Sequence, residues 1–422
     1  MNIPQRVYMV GIGGIGMSAL AQFLHHTGHA VSGSDREESP VTIMLIQKGI
    51  HVNIGHESID VPGDCEMIIY SDAVPSSNAQ RMRGQEMGVP ELSYFEALGV
   101  VSQRARTIAV SGTHGKTTTT GMLAKILHDA GEEPTAIVGS IVRDFGSNYL
   151  PGKPDLFVVE ACEYRDHVLK IHPEILVITN IELDHTDYFP DLKSLQETFR
   201  IAAEKVPAHG VIITDPQSAN ISPVLKNVKA KVIDYTHMAI GSLLLPGEFN
   251  RENARAALAA AHAAFPQMSL EKGVHALSQF HGSWRRFEYR GETPNGAIVY
   301  DDYAHHPTAV AKTIAAAREK FPHRRIVVAF HPHLHSRTES FLQEFADALD
   351  MADRAIVAPI YEARTEVVHA VSNHSVAEAS DHVEAMDSFE EIRDALLQEP
   401  KDTIIITMGA GDIYKVAEQI AD

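Results

Sequence analysis

Residues 111–120 read SGTHGKTTTT, and they are the most informative stretch of this chain. A β-branched run at 107–110 precedes it, and an apolar pattern with helical spacing at 122–127 follows it. Strand, glycine-rich loop, Gly-Lys-Thr and helix form an arrangement that holds a nucleoside triphosphate, because backbone N–H groups and a helix N-terminus face the phosphates. In such a loop Lys116 adds a positive charge and the Thr117 hydroxyl reaches Mg²⁺. The alternative is a glycine-rich turn that binds nothing.

The composition limits the class of protein. The 422 residues are enough for two to four domains, and 44 % apolar with 22 % charged residues is an ordinary balance for a globular chain. The formal net charge of −19 argues against a nucleic-acid binder, whose footprint is basic, and against anionic membrane. Two cysteines cannot make a disulfide framework, and the sequence shows no apolar signal stretch and no run of about 18 apolar residues. We therefore expect a soluble, cytoplasmic protein.

A second glycine loop follows the first predicted strand. Gly11–Gly16 comes directly after the strand-like residues 6–10, and a second strand, 30–34, ends at Asp35. Taken alone, this spacing predicts a dinucleotide site with Asp35 on a ribose, which would make the protein a nicotinamide-dependent oxidoreductase. The loop itself specifies only a pyrophosphate, so a UDP-sugar fits it as well. Ser71 follows a further short strand, at the edge where such sheets bind ligands, and a plain turn is the alternative there.

Polar residues follow two buried strands of the middle segment. The apolar runs that lead to Glu160 and Asn180 are typical of strands covered on both faces of a parallel sheet. Glu160 lies at the ligand edge of that sheet, where a carboxylate can hold the Mg²⁺ that bridges phosphates, and Glu163 ranks below it. After Asn180, His185 or Asp184 could bind a second Mg²⁺; a histidine satisfied within a turn is the alternative.

An alanine-rich helix is predicted after residue 246. Asn250 is placed to cap the N-terminus of this helix, and Asn253 lies one turn further on. Capping explains Asn250 without a ligand, but it does not explain Asn253. A hinge at 282–287, which contains the only tryptophan, then opens the last segment.

The last segment repeats the order of strand, polar loop and helix. Three β-branched runs end this way: 297–300, 325–330 and 403–408. They predict a second doubly wound sheet whose loops share one edge. His331, His333 and His335 alternate after the second run, so on a strand they would share a face and could bind Zn²⁺. Pro332 and the expected end of the strand count against that site.

These elements predict an α/β protein of three domains. We expect an N-terminal Rossmann-like domain at 1–105 and a central domain at 106–282 with a mostly parallel, P-loop ATPase-like sheet. A C-terminal Rossmann-like domain is expected at 283–422. The two glycine loops then belong to different domains.

With its motifs assembled in order, the chain resembles the Mur ligases over nearly its whole length. Seven motifs carry the resemblance: Gly11–Ser18, Gly112–Thr118, Asn180–His185, Asn250–Asn253, Arg285–Phe287, Asp301–Pro307 and Gly409–Ile413. The resemblance implies that ATP phosphorylates a carboxylate of a UDP-sugar and that an amine then attacks the acyl phosphate. Within the family the chain is most similar to the branch that adds L-alanine to the lactyl carboxylate of UDP-N-acetylmuramate in peptidoglycan precursor synthesis.

The resemblance also implies roles for the residues at matching positions. ATP would contact Gly112, Thr113, His114, Gly115, Lys116, Thr117, Thr118, Asn250, Asn253 and Arg285. The UDP-sugar would contact Gly13, Gly14, Ile15, Gly16, Met17, Ser18, Asp35 and Ser71. The catalytic group would be Lys116, Glu160, His185, His305 and Arg337, with His306, His333 and Tyr303 near the amino acid. Thr117, Glu160 and His185 would hold Mg²⁺.

Several departures from the family pattern leave alternatives open. Leu334 stands where the alanine-adding branch usually has an arginine, so a recycling ligase that adds a tripeptide stays a rival. Phe249 replaces a usual histidine, and the shorter stretch 215–246 predicts the loss of a small outer sheet. Thr198–Arg200 contains no lysine that could be carbamylated, which favours the first-step branch. An oxidoreductase on Gly11–Gly16 and an inactive binding homologue are the other classes, and we expect a monomer or weak homodimer.

Overall fold

The computed structural model describes residues 2–55, 57, 60–362 and 370–421. Strands and helices alternate through most of these residues, and the strands form three sheets of five, seven and six strands. The predicted α/β class, with its mostly parallel sheets, is therefore confirmed. Among the described helices, none combines the length and the apolar character that crossing a bilayer requires.

The first sheet is wholly parallel. Its strands are β1 (Arg6–Val10), β2 (Ala30–Asp35), β3 (His51–Ile54), β4 (Met67–Tyr70) and β5 (Glu91–Ser93). The helices between and after them are α1 (Ile15–His26), α2 (Pro40–Gln47), α3 (Ala79–Glu86) and α4 (Tyr94–Ser102). The spatial order β3-β2-β1-β4-β5 reverses direction at β1, and ligands of doubly wound sheets bind at this switch point. The loop after β1 and the loop after β4 both lie there.

The second sheet carries the phosphate-type loop. Its strands are β6 (Arg106–Ser111), β7 (Pro134–Val142), β8 (Ser147–Leu150), β9 (Lys153–Glu160), β10 (Ile175–Ile178), β11 (Val211–Thr214) and β12 (Lys231–Asp234). The order is β12-β11-β10-β6-β9-β7-β8, and only β8 runs antiparallel to its neighbour. Its helices are α5 (Lys116–Asp129), α6 (Leu192–Glu204), α7 (Glu248–Ala264) and α8 (Leu270–Ser278), with 3₁₀ turns at Tyr164–Lys170 and Ser222–Leu225. The hairpin of β7 and β8 was not predicted from the sequence.

The third sheet has the order β13-β14-β18-β15-β16-β17 and is parallel except at β13. Its strands are β13 (Glu288–Glu292), β14 (Ile298–Asp302), β15 (Arg325–Phe330), β16 (Arg354–Val357), β17 (Val383–Ala385) and β18 (Thr403–Met408). The helices are α9 (Pro307–Lys320), α10 (His335–Ser340), α11 (Leu342–Leu349), α12 (Asn373–Glu378), α13 (Phe389–Leu396) and α14 (Tyr414–Ile420). Every residue of β18 is buried, because helices cover both faces of the sheet.

The chain forms two compact units. The first consists of Met1–Ile181, Leu195–Gly241 and Asn253–Phe280, and it contains the first two sheets. The second consists of Glu182–Ser194, Ser242–Glu252 and His281–Asp422, and it contains the third sheet. The expected boundaries of three sequence domains stay a prediction.

Candidate functional site

The phosphate-type loop has the geometry that its sequence predicts. It joins the buried strand β6 to α5, which begins at Lys116. Gly112 has φ 128° and Gly115, the N-cap of α5, has φ 84°, so both need glycine. A Cβ on Gly115 would also collide with the Asn253 side chain. The loop therefore presents the N-terminus of a fourteen-residue helix, a position where the helix dipole favours an anion.

Asn180 holds this loop in place. Its Oδ1 accepts a hydrogen bond from the His114 N–H at 2.9 Å, and its Nδ2 donates to the His114 carbonyl at 3.0 Å. The Thr113 N–H donates to the Asn180 carbonyl at 3.0 Å. Three bonds from one residue fix the loop before any ligand arrives. Asn180 follows β10, the neighbour of β6, so the parallel sheet itself brings the two segments together.

Lys116 forms an ion pair inside the loop. Its Nζ lies 2.9 Å from Glu163 Oε2 and donates to the carbonyls of Gly112 (2.6 Å) and Thr113 (3.0 Å). Glu163 is 1 % exposed. Burial by itself would lower the pKa of Lys116, but the charge of Glu163 raises it, so the lysine is cationic. The sequence predicts Glu160 as a Mg²⁺ ligand ahead of Glu163. The spacing of Glu163 does not indicate that this residue pairs with Lys116.

Thr117 and Glu160, both predicted to bind Mg²⁺, are joined by a hydrogen bond. The Thr117 hydroxyl donates to Glu160 Oε1 at 3.0 Å. Glu160 Oε2 accepts the Gly139 N–H of β7 at 2.7 Å, which orients the carboxylate. Adjacent ligands of octahedral Mg²⁺ lie about 2.9 Å apart, and both groups are the hard oxygens that this ion prefers. The donor set therefore fits Mg²⁺.

Asn253 lies beside the loop, whereas Asn250 has a different place from the one predicted. Asn253 is buried and accepts a hydrogen bond from the Thr119 hydroxyl at 3.2 Å. Helix α7 begins at Glu248, so Asn250 is inside its first turn, and the predicted N-cap at Asn250 is wrong. The Asn250 Nδ2 instead donates to the Pro246 carbonyl at 2.7 Å and secures the entry to the helix.

The Gly11–Gly16 loop is closed by Asp35. The Asp35 carboxylate accepts the Gly13 N–H at 2.8 Å, so this residue shapes the loop from within. Gly14 is the N-cap of α1, and the side chains of Met17 and Ser18, in its first turns, are buried. Ser71, the residue after β4, lies directly beside the loop. A Cβ added to Gly11 would come within 3.0 Å of the Ser71 Cβ. The structure thus brings the predicted UDP-sugar residues to one loop and its rim.

Asn148 of β8 ties this glycine loop to the second sheet. Its side-chain amide donates to the Ile15 carbonyl and, at 3.0 Å, to the Ser18 hydroxyl. Gln22 donates to the Asn148 Oδ1 at 3.1 Å. Asn148 is 2 % exposed, so the three contacts lie in the interior of the first unit. Sequence patterns do not point to Asn148, because they do not predict the hairpin that carries it.

The second unit gathers residues from three separate sequence segments. Arg337 donates to Asp184 Oδ1 from Nε (2.9 Å) and Nη2 (2.8 Å), and both side chains are buried. Its Nη1 donates to His333 Nδ1 at 3.0 Å. The His305 and His333 rings lie 6.0 Å apart, and the His305 ring contacts Tyr303 edge-on. His185 adjoins the pair, since its N–H donates to Asp184 Oδ1 at 2.7 Å.

The charges of this group fix two protonation states. Burial by itself would raise the pKa of Asp184, but Arg337 and the adjacent histidines hold it well below the usual range. Burial and then the charge of Arg337 hold the pKa of His305 well below its usual range. His305 is therefore neutral, and its Nδ1, 2.9 Å from the Tyr303 carbonyl, carries the proton. The Nε2 lone pair is left as an acceptor.

Two further predicted residues have mainly structural contacts. His306 is the N-cap of α9: its Nδ1 accepts the Thr308 N–H at 3.3 Å, and its Nε2 donates to the Leu183 carbonyl at 3.1 Å. Arg285 is 3 % exposed and donates to Asp301 and to the carbonyls of Gly409 and Gly411. These contacts engage both nitrogens of the His306 ring and all three nitrogens of the Arg285 guanidinium.

The alternating histidines do not lie on a strand. β15 ends at Phe330, and α10 begins at His335, so the shared face that a zinc site required is absent from this stretch. His331 is buried, and burial lowers its pKa to about 4. Leu334, at the position of an expected arginine, is 3 % exposed with φ 71°, a conformation that leucine rarely adopts.

Comparison with known proteins gives one consistent result. Sequence models of the Mur ligase family match residues 6–106 (catalytic domain), 110–241 (middle domain) and 285–411 (glutamate ligase domain). The chain is 37 % identical to the UDP-N-acetylmuramate–L-alanine ligase of Caldicellulosiruptor saccharolyticus, over 99 % of this chain and 98 % of the relative. Its fold matches the UDP-N-acetylmuramate-alanine ligase of Thermotoga maritima with a TM-score of 0.81 at 25 % identity, covering 98 % of both chains. A murein peptide ligase from Psychrobacter arcticus shares the fold, with a TM-score of 0.74 and 24 % identity over 99 % of this chain and 100 % of that one.

Proposed function

Because the chain belongs to the Mur ligase family, whose members depend on ATP, we propose that it joins L-alanine to the lactyl carboxylate of UDP-N-acetylmuramate. The observation that carries the proposal is the arrangement at the N-terminus of α5. There the loop amides, the charged Lys116 and the Thr117–Glu160 pair share one edge of the second sheet. Groups of this kind bind and neutralise the phosphates during transfer of a phosphoryl group.

The chemistry follows from the need to activate an acid. A carboxylate and an amine do not condense in water, so a carboxylate oxygen first attacks the γ-phosphorus of ATP and ADP leaves. The amine nitrogen then attacks the carbonyl carbon of the acyl phosphate, inorganic phosphate departs with the former carboxylate oxygen, and the amide remains. Both steps bring anions together, so catalysis depends on positioning and on neutralising charge.

Lys116 supplies the fixed positive charge of the first step. Its Nζ is already charged and held by Glu163, so the β- and γ-phosphates would meet a cation that needs no proton. Thr117 and Glu160 would hold Mg²⁺, and we assign a second Mg²⁺ to His185. These ions would neutralise the phosphate charge. Asn253, beside Gly115, would meet the adenine. The family resemblance also assigns Asn250 and Arg285 to ATP.

The other two substrates are assigned to the remaining groups. The loop of Gly13–Ser18, with Asp35 and Ser71 at its rim, would receive the diphosphate of the UDP-sugar. In the second unit, the neutral His305 would accept a hydrogen bond from the amine through Nε2, with Tyr303, His306 and His333 around it. Arg337, held by Asp184, would face the carboxylate or the acyl phosphate.

We also propose the setting in which this activity operates. The sheets fall within the expected sequence domains 1–105, 106–282 and 283–422, which would bind UDP-sugar, ATP and amino acid in that order. Because the proposed substrates ATP and UDP-N-acetylmuramate are cytoplasmic nucleotides, the proposal extends to a cytoplasmic location. A monomer or weak homodimer is proposed as the protein's oligomeric state.

The test is phosphate release from ATP with purified protein, Mg²⁺ and UDP-N-acetylmuramate, with one amine at a time. L-Alanine should stimulate release at least tenfold more than L-serine or glycine, and omission of the UDP-sugar should abolish it. Stimulation by the tripeptide instead would make the chain a recycling ligase, the rival that Leu334 leaves open. If no amine stimulates release, the proposal fails.

A further inference from the structure

The proposed function assigns no role to Tyr94. This side chain lies near two predicted sites, the Gly11–Gly16 loop and Glu160. It is the first residue of α4, directly after β5. A capping box fixes that start: the Glu96 N–H donates to the Ser93 hydroxyl at 3.3 Å, and Glu96 Oε2 accepts the Ser93 N–H at 3.0 Å. Tyr94 is thereby held at the carboxyl edge of the first sheet, where β1 gives way to the glycine loop.

The phenol ring lies against the last glycine of that loop. A Cβ on Gly16 would come within 2.6 Å of Tyr94 Cζ and 2.7 Å of its hydroxyl oxygen. Phe95 packs edge-on against the same ring, with the centroids 4.8 Å apart. The hydroxyl therefore lies beside the first turn of α1, where an anion would bind.

No hydrogen bond to the Tyr94 hydroxyl is seen among the residues that the structure describes, and the side chain is partly exposed, so the hydroxyl is open to a ligand. Burial, and then the negative charge of Glu160, raise the pKa of Tyr94. The group is thus a protonated donor that lies within electrostatic range of the predicted Mg²⁺ ligand.

We propose that Tyr94 is a substrate-binding residue whose hydroxyl donates a hydrogen bond to an anionic oxygen of the UDP-sugar between the Gly11–Gly16 loop and Glu160. This inference rests on the proposed function, since it adds a contact to the same substrate. The anionic oxygen belongs either to the diphosphate or to the lactyl carboxylate. Both sources offer the charged acceptor that a neutral phenol donor favours.

The experiment is calorimetric titration of the full-length protein without ATP. UDP-N-acetylmuramate and UDP-N-acetylglucosamine, which lacks the lactyl group, are each titrated into wild type and Tyr94→Phe. We expect Tyr94→Phe to bind UDP-N-acetylmuramate about tenfold more weakly, the usual loss for one hydrogen bond to a charged group. An equal loss with UDP-N-acetylglucosamine assigns the bond to the diphosphate, and a loss confined to UDP-N-acetylmuramate assigns it to the carboxylate.

Tyr149→Phe is the matched control. The Tyr149 hydroxyl is buried without a partner among the described residues, and its ring packs against Phe23 and His26 in the last turns of α1, away from the glycine loop. This variant should bind both nucleotide sugars as wild type does. If Tyr94→Phe also binds like wild type, the inference is overturned while the proposed function stands. If wild type binds neither nucleotide sugar, the proposed function fails and the inference fails with it.

Discussion

The ion pair of Lys116 and Glu163 affects both the stability of the fold and the proposed phosphoryl transfer. A buried ion pair adds little stability over an apolar pair of the same volume, but removal of one partner leaves an uncompensated charge. The pair here stands at the phosphate loop with Glu163 1 % exposed. We infer that Glu163 keeps the lysine charged and in place until phosphates arrive.

A double-mutant cycle separates the two roles. Lys116→Met should lower the free energy of unfolding by about 3 kcal/mol, because Glu163 is left buried and unpaired. It should also reduce turnover at least about a hundredfold, because a fixed charge on the phosphates is lost. Adding Glu163→Gln should restore most of the stability and none of the turnover. Chemical denaturation and phosphate release measure the two quantities, and recovery of turnover in the double variant would contradict the role of Lys116.

For single residues, the sequence predicted which side chains would lie close together. It did not predict the hydrogen-bond or ion-pair partner of each one. Lys116, Thr117 and Glu160 follow from local spacing and from the rule that parallel strands end at one edge. The partners Glu163 and Asp184 could not be assigned, because a carboxylate shows its partner only in three dimensions. For Asn250, the capping rule pointed to the wrong position, since the helix begins two residues earlier.

Among the elements, the hairpin of β7 and β8 links the two glycine loops. Gly139 on β7 orients the Glu160 carboxylate, and Asn148 on β8 holds the Ile15 carbonyl and the Ser18 hydroxyl of the other loop. Both strands belong to one hairpin, so a single element contacts both sites. The sequence missed it because alternation over these residues is interrupted by glycine and polar side chains.

Asn148→Ala tests this element. With the amide removed, the start of α1 loses its anchor, and KM for the UDP-sugar should rise about fivefold or more while KM for ATP changes less than twofold. Gln22→Leu is the matched control, because Gln22 bonds to Asn148 but does not touch the Ile15 carbonyl. Both variants should lose about 1–2 kcal/mol of stability by leaving buried polar groups unpaired. Equal rises in KM from the two variants would show that Asn148 has only a structural role.

Over the whole chain, the predictable part was the alternation of strand and helix. The β-branched runs of β6, β10, β11, β15 and β18 marked strands buried on both faces, and the loops after them marked the ligand edge. From these, the class and the three sheets followed. The order of the strands and the contacts of the buried polar residues did not, because they depend on packing between segments far apart in sequence.

In the proposed reaction, ATP activates the lactyl carboxylate as an acyl phosphate. The most direct measurement uses UDP-N-acetylmuramate with both lactyl carboxylate oxygens labelled with ¹⁸O, incubated with the protein, ATP, Mg²⁺ and L-alanine. Mass spectrometry of the products should find one ¹⁸O in each inorganic phosphate and one retained in the amide carbonyl. Amide formed with unlabelled phosphate, or with the label in AMP, would contradict an acyl-phosphate intermediate made from ATP.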